Sequence, residues 1–200
     1  MHTGRSDETH TKVVICGSSS VGKTTLLQRI LKKDISSTPS ETMGVGFASI
    51  IYIHENRELP LNLWDTAGQE AFRSLVNIYF RNTEIAILVF DITVIQSFND
   101  INRWIQEMNA NCGDSQPDFI LVGNKSDLKD NRALTIQQIT DFAKSNNMSY
   151  FEVSAVENTG IEELMKEIGS LAVHHKDAIR EMLDKTQNID VPSEDKKKCC

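Results

Sequence analysis

The residues best placed to do chemistry in this 200-residue chain are Gly17-Ser18-Ser19-Ser20-Val21-Gly22-Lys23-Thr24. They fit G-x-x-x-x-G-K-[ST] at every fixed position and follow the apolar run Val13-Val14-Ile15-Cys16. A buried strand, a tight turn and a new helix form the setting that this pattern requires. Small residues let the backbone N–H groups of Ser19, Ser20, Val21, Gly22, Lys23, Thr24 and Thr25 converge on a phosphate, and the helix N-terminus adds positive potential. Lys23 can reach β- and γ-phosphates, while the Thr24 hydroxyl suits a bound Mg²⁺. Nucleotide binding is the expectation.

A second pattern selects the base. Asn124-Lys125-Ser126-Asp127 follows the apolar run Phe119-Ile120-Leu121-Val122-Gly123. A carboxylate at Asp127 can accept from both the N1–H and the exocyclic amine of guanine. Adenine offers no such donor pair and would leave the carboxylate unpaired. Asn124 would brace the loops, and the Lys125 stem would cover one face of the base. Ser154-Ala155, closing the strand Tyr150-Phe151-Glu152-Val153, would direct a backbone N–H to the guanine O6, with Val156 beside it.

These loops need a rigid frame, and the apolar spacing supplies one. Leu26, Leu27, Ile30 and Leu31 share a helical face after the phosphate loop. Phe47 to His54 and Leu59 to Asp65 alternate as strands, joined by the polar turn His54-Glu55-Asn56-Arg57-Glu58. Pro60, lacking an N–H, belongs at that strand's edge or start. Ile85 to Phe90 is continuously apolar, as in a parallel strand covered on both faces. Phe98, Ile101, Ile105 and Met108 make a helical stripe, as do Ile161, Leu164, Ile168 and Leu171. Thr135 with Gln138, and Thr159 with Glu162, read as capping boxes. Strands alternating with helices give an α/β, doubly wound sheet that binds ligands at the strands' carboxyl ends, where every motif above falls.

Composition narrows the class. A formal charge of −7 argues against a nucleic-acid binder, whose footprint is basic. No run approaches the ~18 apolar residues of a membrane-crossing helix. Met1 to Thr11 is polar, without the apolar core of a secretory signal, and His2 excludes N-myristoylation. Cysteines at 16, 112, 199 and 200 suggest neither a disulfide framework nor a zinc site, so a reducing cytosol is the simplest setting. Adjacent His174 and His175 diverge around a helix and do not chelate together. Residues 1–11 are expected to be a disordered extension, 12–183 the domain and 184–200 a flexible tail.

In order and spacing, the chain from about Lys12 to Leu171 resembles the Ras superfamily of small GTPases. It is most similar to the Rab branch, through Met43-Gly44-Val45-Gly46-Phe47, Trp64-Asp65-Thr66-Ala67-Gly68-Gln69-Glu70, Phe72-Arg73-Ser74-Leu75, Tyr79-Phe80-Arg81, Leu88-Val89-Phe90-Asp91-Ile92-Thr93 and the terminal Cys199-Cys200. The resemblance implies a small G-domain: a six-stranded, mostly parallel sheet with one antiparallel hairpin strand and about five helices. It implies bound GTP or GDP with Mg²⁺ held by Thr24, Thr42 and Asp65. Gln69 would orient the attacking water, with Lys23 as its catalytic partner. Gly68 would approach the γ-phosphate closely, and Thr42 would ligate Mg²⁺ only while that phosphate is present, so hydrolysis would release both loops. No internal arginine finger is evident, so hydrolysis is expected to be slow until a GTPase-activating protein supplies one.

The same resemblance implies an exchange factor, effectors reading residues 35–47 and 67–81, and a monomer. Phe72, Leu75, Ile78 and Tyr79 follow Gln69 and suit such a partner surface. The ending Lys196-Lys197-Lys198-Cys199-Cys200 is not C-a-a-X but is the form Rab proteins present for double geranylgeranylation, served by prenylation and GDP-dissociation-inhibitor machinery. Two lipid chains are what stable anchoring needs. From Asp184 onward four lysines face four acids, so only the terminal lysines favour an anionic surface, by about 1 kcal/mol each. The expected location is the cytoplasmic face of an intracellular membrane, with a soluble cytosolic pool, in vesicle trafficking. Two other classes stand beside this one: a nucleotide-binding module with little turnover, and a P-loop ATPase or kinase. Gln69 argues against the first and Asn124-Lys125-Ser126-Asp127 against the second.

Four positions depart from the family pattern. Ile35 stands where an aromatic ring usually lies across the guanine edge, and Val156 where a lysine often follows Ser-Ala. Gly46 replaces an acidic residue and Ala71 an arginine, both on surfaces that partners read. An aliphatic contact forgoes the ring's extra ~0.5–1.5 kcal/mol. Ile35→Phe should therefore slow fluorescent-GDP release several-fold, and an unchanged rate in stopped flow would refute that account.

Overall fold

The computed structural model describes residues 10–32, 45–66, 79–113 and 116–187. In chain order these form β1 (Thr11–Cys16), α1 (Lys23–Ile30), β2 (Val45–His54), β3 (Arg57–Thr66), β4 (Ile85–Asp91), α2 (Ile95–Asn99), α3 (Ile101–Asn111), β5 (Asp118–Asn124), a 3-10 helix (Ser126–Asn131), α4 (Ile136–Ser145), β6 (Ser149–Glu152) and α5 (Ile161–Gln187). The strands make one six-stranded sheet in the order β2-β3-β1-β4-β5-β6. Only β2 and β3 run antiparallel; the other neighbours are parallel.

The central strand shows why. Every residue of β4 is buried, and alternation sends its side chains to two different cores. Ile85, Ile87 and Val89 join Leu26 and Ile30 of α1 and Leu164 and Ile168 of α5. Ala86, Leu88 and Phe90 join Trp104 and Met108 of α3 and Ile139 of α4. A strand with helices on both faces has no polar side, which is the continuous apolar run seen in the sequence. The doubly wound architecture expected from the spacing is the one observed.

Local details differ in instructive ways. The β2–β3 connection is a two-residue turn, Glu55-Asn56, with φ of 47° and 63°, and His54 already pairs with Arg57. Two left-handed residues match the sheet's twist, so the strands run further than their apolar alternation. Pro60 lies inside β3 opposite Ile51, but pairing with β1 begins only at Leu61, so β1 asks for no N–H from it. The 98–108 stripe is interrupted at Asp100 between α2 and α3, and its centre is Trp104, 1% exposed, rather than Ile105. Thr135 and Gln138 form the full reciprocal capping box of α4. Gly160 rather than Thr159 borders α5, and the Thr159 N–H that a reciprocal box would use already donates to the Ser154 carbonyl in an antiparallel bridge. Gly160, at φ 72°, takes the turn into α5 instead, where a Cβ would lie 2.2 Å from the Glu152 carbonyl oxygen. The helix continues to Gln187, past the Asp184 where a linker was expected.

Burial sets the energetic contrast. Leu164 is fully buried, whereas Ile179, further along α5, is 40% exposed. Leu164→Ala should cost about 2–5 kcal/mol in nucleotide-saturated urea unfolding, and Ile179→Ala less than about 0.5 kcal/mol. Equal costs would refute this placement of the core.

Candidate functional site

β1 ends at Cys16, and the chain must turn sharply over β4 to start α1 at Lys23. Gly17 makes the close approach: a Cβ there would stand 2.1 Å from the Val89 carbonyl oxygen. Gly22, at φ 95°, enters α1 with the Asn124 amide so near that a Cβ would meet its Nδ2 at 2.3 Å. Glycine is thus required at both ends of the loop by neighbours far away in sequence. Ser20 also adopts a left-handed conformation, at φ 63°.

Lys23 folds back over this loop. Its Nζ donates to the Gly17 carbonyl at 2.9 Å and the Ser18 carbonyl at 2.7 Å, and the residue is 6% exposed. Burial pushes its ammonium down to about 8, against the opposing pull of Asp65 and Cys16. Cys16 is pushed up to about 12 by burial, so it is an inert thiol.

Next to the lysine, Thr24 Oγ1 donates to Asp65 Oδ2 at 2.6 Å. Thr66, the residue after Asp65, donates its hydroxyl to the Ile15 carbonyl at 2.9 Å and pins the end of β3 to β1. Asp65 is 1% exposed, and its Oδ1 has no hydrogen-bond partner among the described residues. Burial raises its carboxyl, with the Thr24 hydrogen bond and the Lys23 charge working the other way. A buried carboxylate oxygen without a donor, beside a hydroxyl, is the hard-oxygen set that Mg²⁺ takes alongside phosphate oxygens and water. The residues present therefore fit the ion. Among the described residues there is no cluster of three or more His, Cys, Asp or Glu. His175 contacts Asp118 at 2.9 Å.

The base-side residues converge from two loops. Asn124, 2% exposed, donates from Nδ2 to the Val21 carbonyl at 2.8 Å and accepts the Ala155 N–H at Oδ1 at 3.2 Å. Asp127 Oδ1 accepts from the Ser154 hydroxyl at 2.6 Å, and that hydroxyl accepts the Glu157 N–H at 3.0 Å. Lys125 stands in a left-handed conformation, φ 67°, with Nζ 2.6 Å from Asp91 Oδ2. Burial works against the Asp91 charge, yet the Lys125 ammonium and the Thr93 N–H and hydroxyl hold its carboxyl below the usual range. Val156 is 65% exposed. The sheet edge thus brings together Lys23, Thr24, Asp65, Asn124, Lys125, Asp127, Ser154 and Ala155.

Ile35, Thr42, Gly68 and Gln69 lie outside the described residues, as do Phe72, Leu75, Ile78, Cys199 and Cys200. The described ends of residues 35–47 and 67–81 meet on Trp64: its ring lies 4.7 Å from Phe47 and 5.3 Å from Tyr79. Two residues of the site were given no role there from the sequence. Asp91 ends β4, the kind of strand end where α/β ligands gather, so its position was a usable signal. Arg29 touches the 154–156 loop from α1 and carried no signal at all.

Comparison with known proteins agrees with this geometry. Residues 12–173 match the model of the Ras family. The GTP-binding protein ypt3 of Schizosaccharomyces pombe is 36% identical over 157 residues, covering 78% of this chain and 73% of the relative. The chain belongs to the Ras family, in its Rab branch. Members of this family hydrolyse GTP to GDP, and this Rab-branch chain is accordingly a GTPase.

The depressed lysine gives a pH signature. A phosphate favours the protonated ammonium, so binding requires a proton once pH exceeds the lysine's own value of about 8. GDP affinity should be level below pH 8 and fall above it, by up to about tenfold per pH unit. Affinity that is flat through this range, measured by competition titration, would show that Lys23 does not titrate there.

Proposed function

We propose that this Rab-branch GTPase is a membrane-cycling switch in vesicle trafficking, alternating between GTP- and GDP-bound forms to recruit effectors. The observation that carries the reading is the Asn124 amide, which joins the phosphate loop to the 154–156 loop and so aligns a phosphate site with a base site. In this reading Asp127 pairs with the guanine N1–H and amine, the Ala155 N–H is shared between Asn124 Oδ1 and O6, and the Lys125 stem covers one face. The N–H groups from Ser19 to Thr25 cradle the phosphates, with the Lys23 ammonium on the β- and γ-phosphates. Thr24, Thr42 and Asp65 hold Mg²⁺, which neutralises charge on the phosphates when bound. Gln69 orients water for in-line attack. Its amide is no strong base, so it acts by accepting from water and donating to the transferring group.

Thr42 and Gly68 tether residues 35–47 and 67–81 to the γ-phosphate, and its loss frees both segments. An exchange factor, a GTPase-activating protein and effectors read those segments, and the ring cluster of Phe47, Trp64 and Tyr79 supports a role there in effector contact. The chain from residue 12 to the end of α5 acts as the G-domain and the residues after Gln187 as the tether. No helix among the described residues is long and apolar enough to cross a membrane. Attachment in this proposal rests on geranylgeranyl groups at Cys199 and Cys200, with a GDP-dissociation inhibitor returning the chain to the cytosol.

The first test is the identity of the nucleotide that co-purifies with the chain in Mg²⁺: GDP or GTP in near-stoichiometric amount is expected. Single-turnover GTP hydrolysis then separates a switch from a passive binding module. Gln69→Leu should slow hydrolysis strongly while leaving GDP affinity unchanged, and equal rates in the two proteins would refute the role given to Gln69.

A further inference from the structure

Arg29 sits in the last turn of α1, the helix that Lys23 and Thr24 begin. Its Nε donates to the Ala155 carbonyl at 2.9 Å and its Nη2 to the Val156 carbonyl at 2.8 Å. A planar guanidinium with two donors on successive carbonyls fixes the tilt of the intervening peptide as well as its position. The loop has other fasteners at its base: the Ser154–Thr159 bridge, the Ser154 hydroxyl bonded to Asp127 and to the Glu157 N–H, and buried Ala155, whose N–H reaches Asn124 Oδ1 over 3.2 Å. At the outer end Val156 is 65% exposed and packs too little to hold the chain. The Arg29 fork supplies there what packing does not.

We infer that Arg29 is a positioning residue of the base site: by gripping the Ala155 and Val156 carbonyls it fixes the segment whose Ala155 N–H, 3.2 Å from Asn124 Oδ1, is shared with the guanine O6. The inference rests on the guanine-switch reading above. Its second consequence is coupling. α1 is one short helix with phosphate-facing residues at its first turn and the loop-gripping arginine at its last, so a shift of the helix disturbs both halves of the nucleotide site together. A purely structural tie would stabilise the fold without affecting how the base is read.

The test uses the full chain loaded with GDP and Mg²⁺. GDP release is measured alongside relative affinity for GDP, ADP and 6-thio-GDP, in which sulfur, a poor acceptor, replaces O6. The unaltered chain should prefer GDP to both analogues. Arg29→Met should release GDP about tenfold faster, the loss of roughly one well-placed hydrogen bond. It should also show a smaller ratio of GDP to 6-thio-GDP affinity. Arg29→Lys keeps the charge and stem but not the fork, so it should resemble Arg29→Met; where Arg29→Met fails to fold, the lysine variant carries the comparison. A guanine-selective chain whose variants keep the full GDP to 6-thio-GDP ratio overturns the inference alone, even if their melting temperatures fall. An unaltered chain that binds ADP as well as GDP overturns the guanine reading and this inference with it.

Discussion

One buried side-chain amide organises the nucleotide edge of this protein. Asn124 can use both ends of its amide because β5 delivers it between two loops: Nδ2 serves the Val21 carbonyl and Oδ1 takes the Ala155 N–H. Both backbone groups lie in loops without a ladder of their own, and at 2% exposure the amide would be costly if left unpaired. The arrangement also dictates sequence elsewhere. Gly22 is confined to glycine because Nδ2 occupies the space of a Cβ, so two motifs far apart in the chain constrain each other sterically. An aspartate at 124 would lose the donor to Val21, and an alanine would lose both bonds.

The sheet makes that bridge possible. β1, β3, β4 and β5 end at one edge, which places Cys16, Thr66, Asp91 and Asn124 at the bases of neighbouring loops. Two apolar cores hold the strands, and the loops are anchored in the first of them through Val21 and Ala155. Ion pairs at the edge then set conformations finely. Asp91 holds the Lys125 ammonium, and it does so while Lys125 itself is in a left-handed conformation. Elsewhere ion pairs count for less: the Arg57–Asp177 pair joins the hairpin to α5, but both side chains are about half exposed and water screens them.

The sequence showed the fold through patterns that local physics enforces. An apolar run such as Ile85–Phe90 between turn residues fits a strand covered on both faces, and Thr135 with Gln138 can cap a helix without help from elsewhere. Expectations failed where a distant partner decided the outcome. Thr159 looked like a cap, but pairing with Ser154 claimed its backbone. Glu55-Asn56 carries no glycine, so the two-residue turn was hidden inside a longer polar stretch. The phosphate loop and Asn124-Lys125-Ser126-Asp127 were legible because their residue types are fixed by chemistry. Arg29 was not, since a single arginine on a helix gives no hint of a partner 126 residues away.

The electrostatics of the phosphate side link ligand binding to folding. Lys23 and Asp65 are both buried, and burial shifts each toward its neutral form, the lysine down and the carboxyl up. Their mutual attraction offsets this only in part. In the proposed complex, phosphate oxygens would favour the ammonium and Mg²⁺ would favour the carboxylate, so both charged forms would be stabilised inside a site the fold has already dehydrated. A ligand that removes two desolvation penalties binds the folded chain and not the unfolded one, and so stabilises the fold in proportion to the logarithm of its concentration over its Kd.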